Sequence, residues 1–405
     1  MKSLEEINFS SRLLAGLFFL IGVGMAIPSV GSVKAYFYIA FFVVVLLYAA
    51  LEKRKFPIMY AIAIYAFYYF ASQSLWWAIY PMAVNEMITN TLLAMILNVS
   101  MAMFALADEK SPVDLGKRFL PIAIIAIVNV LISGELGEKG RLSIGTNENQ
   151  MGITAAYIYL FIFYTCKKKD WKSWIYNIVA IALFVVVALS GSRTALLDAV
   201  AFTIAVLMFE KYDVNIFRLI WKVIKIAVLL AIIIFVLMRV DIFYNTVGNR
   251  LETLFTFVTE GDIADASAVT RDYMKEAAIK IFENNPVLGV GLNNFKYVSR
   301  FDTYSHSTYY ELLSCLGIIG FALYYLPIAS LLIIAFFNWK KGKENAVVPF
   351  TLIAAFLVND FGTVSYFSYN EHIFLGLAVG MALLERRRCI NKKEENCNEQ
   401  VEVNN

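Results

Sequence analysis

Residues 239–306 read RVDIFYNTVGNRLETLFTFVTEGDIADASAVTRDYMKEAAIKIFENNPVLGVGLNNFKYVSRFDTYSH, a long polar stretch set between helix-length apolar runs. It closes on His306, one of two histidines in the chain. The sequence around it is 60% hydrophobic, 15% aromatic and only 17% charged, with a mean hydropathy of +0.65. That is too apolar for a soluble domain of 405 residues and normal for a polytopic membrane protein. A segment in lipid must satisfy its own backbone hydrogen bonds, so helix-length apolar runs predict helices. The expected fold is therefore an all-α polytopic membrane protein of about twelve transmembrane helices. One large extracytoplasmic loop, carrying short amphipathic helices, interrupts it.

The apolar runs extend approximately over Ser11–Ile27, Ala35–Leu51, Pro57–Ile79, Ile88–Ala107, Phe119–Ile132, Met151–Cys166, Trp174–Leu189, Thr194–Phe209, Leu219–Met238, Thr308–Phe337, Val347–Val364 and Ile373–Leu384. Alternate connections are basic: Lys53-Arg54-Lys55, Lys110 with Lys117-Arg118, Lys167-Lys168-Lys169, Lys211 with Arg218, Lys340-Lys341, and Arg386-Arg387-Arg388. The connections between them hold few cations, chiefly Lys34, Lys139, Arg141 and Arg193. The positive-inside rule then predicts cytoplasmic termini and an external polar stretch, with Trp76, Trp77 and Tyr80 in the outer aromatic belt. The first run, led by Glu5-Glu6, reads as a retained anchor rather than a cleaved signal. The domain expectation is a transmembrane unit over 1–385, with 239–305 inserted before the tenth span, and a polar, disordered cytoplasmic tail over 386–405.

The net charge of +3 is small, and no nucleic-acid partner is expected. Cys166, Cys389 and Cys397 fall on the predicted cytoplasmic side and Cys315 lies within a span, so no external disulfide is expected. No Cys or His cluster has zinc-ligand spacing. Within the polar stretch, Leu251, Leu254, Phe255 and Val258 recur at helical spacing, as do Met274, Ala277, Ala278, Ile281 and Phe282. The second pattern is stopped by Asn284-Asn285-Pro286 and followed by Gly289 and Gly291. Arg193 lies at the mouth between two spans, where a cation marks a site or snorkels to lipid phosphates.

Four segments together resemble the O-antigen ligase and polymerase superfamily. They are Gly145-Thr146-Asn147-Glu148-Asn149; Ser190-Gly191-Ser192-Arg193-Thr194-Ala195; Thr270-Arg271-Asp272-Tyr273 leading to Asn285-Pro286-Val287-Leu288-Gly289-Val290-Gly291; and His306-Ser307-Thr308-Tyr309-Tyr310-Glu311-Leu312-Leu313 with Leu316-Gly317-Ile318-Ile319-Gly320. The resemblance covers roughly Ser143 to Gly320 and implies a membrane glycosyltransferase without metal or cofactor. Its donor would be an undecaprenyl-diphosphate-linked oligosaccharide and its acceptor a glycan hydroxyl, met at the outer face of a bacterial cytoplasmic membrane. Flippase and chain-length regulator proteins would be neighbours in such a system.

On the family's pattern Arg193 and Arg271 hold the diphosphate and His306 acts on the acceptor. The chemistry supports those roles, since guanidinium forks match phosphate oxygens and imidazole is a base that can be neutral near pH 7. The family often has Asn after the histidine, and here the residue is Ser307. Asn147, Asn149, Tyr309, Tyr310 and Asp360 are further candidates for substrate contact. For the tyrosines the alternative is a membrane-interface belt, and for Asp360 a bond to a neighbouring helix. Repeat-unit polymerisation for O-antigen, capsule or exopolysaccharide is the leading expectation, ligation to another acceptor the second, and a transporter or flippase a third.

Overall fold

The computed structural model describes residues 4–27, 34–51, 56–136, 141–145, 147–168, 173–208, 266–343 and 345–403, with single positions at 221, 224 and 239. Each apolar run except Leu219–Met238 coincides with a helix; that run and the pattern over Leu251 to Val258 lie outside the described residues apart from Trp221 and Ile224. The helices are α1 (Leu4–Ala26), α2 (Lys34–Leu51), α3 (Ile58–Gln73), α4 (Pro81–Ala107), α5 (Pro112–Ser133), α6 (Glu148–Lys168), α7 (Trp174–Leu189) and α8 (Arg193–Met208). After the undescribed stretch come α9 (Ala266–Asn284), a single turn α10 (Phe295–Val298), α11 (Thr308–Lys340), α12 (Val347–Asn359) and α13 (Tyr369–Val403). A two-stranded antiparallel hairpin, β1 (Glu135–Leu136) with β2 (Leu142–Ser143), joins α5 to α6. Among the described residues, Ile58–Trp76, Pro81–Ala107, Pro112–Ser133 and Thr308–Lys340 are long and apolar enough to cross a membrane, and further apolar helices are shorter. The protein is a helical membrane protein.

The bundle is centred on α4, which packs along α13 with both chains running the same way. Gly376 and Gly380, one helical turn apart, face the carbonyls of Asn98 and Ala102, and a Cβ at either would collide with that backbone. Small residues four apart let two helices approach this closely, which stabilises packing where lipid tails supply no hydrophobic driving force. Around this pair α6 contacts α5, α7 and α8, while α11 contacts α3, α9 and α12.

The helix ends sort into two groups. At one end lie Lys110, Arg118, Lys167 and Lys340, with Asp108 pairing both Lys110 (2.9 Å) and Arg118 (3.8 Å). Lys167 there donates to the Val206 carbonyl, and Tyr164 to Asn345. At the other end lie the starts of α4, α6, α8, α11 and α13, the ends of α7 and α12, and the described part of the polar stretch. Trp77 donates its indole N–H to the Leu288 carbonyl (3.0 Å), and Tyr80 and Asn294 bond each other reciprocally.

Two expectations change. The run over Thr308–Phe337 is not one continuous helix: α11 is broken at Gly317 (φ 61°, ψ −166°), a conformation that side-chain-bearing residues avoid. The break frees backbone groups, and residues 286–291 satisfy them. Val290 N donates to Ser314 O (3.1 Å), Gly291 N to Cys315 O (2.8 Å), and Ile318 N to Pro286 O (2.9 Å). The polar tail, expected to be disordered, instead continues α13 to Val403; its Glu- and Lys-rich sequence has good helix propensity.

Candidate active site

The candidate residues lie at the end away from Lys110, Lys167 and Lys340, on separate elements. The Ser190-Gly191-Ser192 turn ends α7 and starts α8. Gly191 takes a left-handed φ of 62°, Ser192 accepts from Ala195 N (3.3 Å) as an N-cap, and Arg193 follows as the first helical residue, exposed. Gly152 of α6 lets this turn press close, because a Cβ there would meet the Ser190 hydroxyl.

The hairpin between α5 and α6 presents Arg141, largely shielded from solvent. Its Nε donates to Ser190 O (3.0 Å), one terminal nitrogen donates to Asn149 Oδ1 (2.6 Å), and the other lies 3.5 Å from a Glu148 carboxylate oxygen. The Gly145 to Asn149 segment thus divides its labour. Asn147 caps α6, its Oδ1 accepting from the backbone of Asn149 (3.0 Å) and Gln150 (3.3 Å), while Glu148 and Asn149 hold Arg141. Burial foremost, and the positive charge of Arg271 last, lower the pKa of Arg141, with Glu148 opposing them.

Arg271 is half-buried on α9, the helix whose apolar residues Met274, Ala278 and Ile281 are buried, and α9 packs on α11. The charge of Arg271 reaches His306 as well as Arg141. His306 sits in a left-handed conformation (φ 57°), which His tolerates better than most residues. Both neighbours are buried and bonded: Ser305 N donates to Glu311 (2.7 Å) and Ser305 Oγ to Ser307 O (2.9 Å). The Tyr304 ring lies 4.6 Å from the imidazole, centroid to centroid. Burial first, and then the Arg271 charge, hold the His306 pKa below its usual value, so the imidazole is neutral at pH 7.

The remaining candidates are engaged in packing. Asp360 is fully buried and accepts from Tyr325 Oη (2.8 Å), Thr308 Oγ1 (3.0 Å) and Ser365 Oγ (2.5 Å). Tyr309 donates to Leu357 O (2.8 Å), stacks on Tyr325 and leans on Phe361. Tyr310 is half-buried. Ser307, where the resembled family often has Asn, donates its hydroxyl to Asp360 O (2.9 Å) and is fully buried, so it ties α11 to the end of α12. The charge of Arg271 is felt at both Arg141 and His306, and Arg193 follows the Ser190 turn to which Arg141 bonds. Arg141 is the member that motif reading passed over; its signal was a cation in a connection otherwise poor in them.

The family model Wzy_C, described as O-Antigen ligase, matches residues 178–325. The match supports the O-antigen ligase and polymerase superfamily and spans Arg193, Arg271 and His306, while Arg141 lies before it. No curated protein matches the chain in a sequence search.

Proposed function

We propose that this chain, whose residues 178–325 match the O-antigen ligase family, is a membrane glycosyltransferase moving a glycan from undecaprenyl diphosphate to an acceptor sugar hydroxyl at the outer face of the cytoplasmic membrane. The observation that supports the reading is that the match over residues 178–325 spans Arg193, Arg271 and His306, with Arg271 close enough to His306 for its charge to favour the neutral imidazole. Cations within electrostatic reach of one another favour an anionic ligand beside them, and a diphosphate is one.

In this reading the acceptor oxygen attacks the anomeric carbon of the donor sugar. The bond from that carbon to the diphosphate breaks, and its electron pair leaves on the diphosphate. His306 accepts the hydroxyl proton and later releases it to solvent. Arg193 and Arg271 stabilise the charge that grows on the leaving group, where a fixed cation acts on the transition state more than on the ground state. Repeat-unit polymerisation and ligation share these steps and differ in the acceptor.

Alanine at Arg193 or Arg271 tests the assignment. Turnover by purified protein should fall on the order of a hundredfold for each, with lysine restoring only part because it lacks the planar fork. Full turnover in both alanine variants, at normal folding, removes the arginines from the reaction.

A further inference from the structure

A groove of about 500 Å³ runs between α3, α11 and α13 in the half of the bundle nearer the basic end. Ala63 and Ala322, too small to fill the space between α3 and α11, lie on its wall, and Leu326 and Leu331 keep that side apolar. Met59 and Leu326 are exposed at its rim, so the groove opens on a surface that a bilayer covers. Its hydroxyls are already paired: Tyr60 Oη donates to Asn98 Oδ1 (2.6 Å) and Ser330 Oγ to Pro327 O (2.7 Å). Water would find few partners on this wall, whereas hydrocarbon would cover it.

One charge breaks the lining, Arg386 of α13. Asn338 Nδ2 donates to Ala382 O (2.9 Å), which holds α13 beside the last turns of α11. Arg386, one helical turn past Ala382, therefore lies at the basic end with Lys340. It is exposed, and among the described residues it has no hydrogen-bond or ion-pair partner. A guanidinium at the end of a lipid-facing groove suits a molecule that carries both hydrocarbon chains and an anionic phosphate at that depth. We propose that the groove holds an acyl chain of an anionic glycerophospholipid from the leaflet at the basic end, with Arg386 contacting its phosphate. Arg193 and His306 lie at the opposite end of the bundle, so this occupant is distinct from the donor of the transfer reaction.

Lipid competition on the purified protein tests the site without turnover. Protein in detergent is mixed with equal amounts of phosphatidylglycerol and phosphatidylcholine bearing the same chains, and bound lipid is counted by native mass spectrometry. Phosphatidylglycerol should be retained about fivefold over phosphatidylcholine, the scale of one arginine beside an anionic headgroup. Arg386→Ala should remove that preference, whereas Lys117→Ala, at an exposed cation of α5 at the same end, should keep it. Ala63→Trp, which fills the groove, should cut retention of both lipids about fivefold. Glycerol phosphate, an anionic headgroup without chains, should displace nothing even in large excess. Equal retention of the two lipids, an unchanged preference in Arg386→Ala, an equal loss in Lys117→Ala, or displacement by glycerol phosphate overturns the proposal. So does unchanged retention in a folded Ala63→Trp protein; if that variant does not fold, Arg386→Ala and Lys117→Ala decide.

Discussion

His306 owes its position to its neighbours. Its own backbone is left-handed, at a cost of order 1–2 kcal/mol, and the buried bonds of Ser305 and Ser307 hold it there. Its depressed pKa has a consequence with a definite sign. The base works when neutral, so the rate should stay level as pH falls past the ordinary imidazole range near 6.5 and drop only through the lower folded-state value. Arg271→Ala removes one of the two causes of that depression, so the acid limb of its residual rate should move to higher pH, while Glu276→Ala on the exposed face of α9 should leave it in place. An unmoved limb in Arg271→Ala would separate Arg271 from His306. At Arg141, Asn149→Ala removes a hydrogen bond to a charged donor; we expect KM for the donor to rise roughly tenfold with kcat less affected, the scale of about 1.5 kcal/mol. Unchanged KM would contradict that role. Arg193, Arg271 and His306 were legible because their neighbours form motifs. Arg141 was not, because its partners Glu148, Asn149 and Ser190 meet it only through the fold.

Among elements, the broken α11 and the 286–291 loop form one interlocked unit. A Cβ on Gly317 would collide with the Val287 carbonyl, and one on Gly289 with the Cys315 backbone. Gly317→Ala should therefore cost roughly 1–3 kcal/mol for the backbone conformation alone, before the clash. In detergent its unfolding midpoint should fall clearly below wild type. Gly16→Ala in α1, where an added Cβ meets nothing within 4 Å, should be neutral or slightly stabilising; equal midpoints for the two variants would contradict the interlock. The sequence showed the turn-forming half of this unit through Asn285-Pro286 and its glycines. It hid the other half, since Leu316-Gly317-Ile318-Ile319-Gly320 has the composition of an uninterrupted apolar helix and only tertiary bonding to the loop makes the break tolerable. Tyr309 and Asp360 were ambiguous for a similar reason: residue type and depth do not say whether a polar atom meets a ligand or a neighbouring helix.

For the whole molecule, the helices collect the lysines Lys110, Lys167 and Lys340 at one end and the site at the other, the arrangement expected if the basic end is cytoplasmic. Single cysteines in a background without the native thiols test this. Glu283→Cys, exposed on α9, should react with an impermeant reagent in intact cells and Lys341→Cys should not; the opposite pattern would invert the orientation. The apolar periodicity made the helices legible, whereas the pairing of α4 with α13 through Gly376 and Gly380 joins segments far apart in sequence and left no local mark. The most direct measurement supplies purified protein in detergent with undecaprenyl-diphosphate-linked repeat units, alone and with a separate sugar acceptor, and follows both glycan size and release of undecaprenyl diphosphate. The account predicts release matched one for one by new glycosidic bonds, lengthening the lipid-linked glycan in a polymerase or extending the added acceptor in a ligase, with both signals reduced on the order of a hundredfold or more in His306→Ala. Folded wild-type protein that releases no undecaprenyl diphosphate with either acceptor would contradict it.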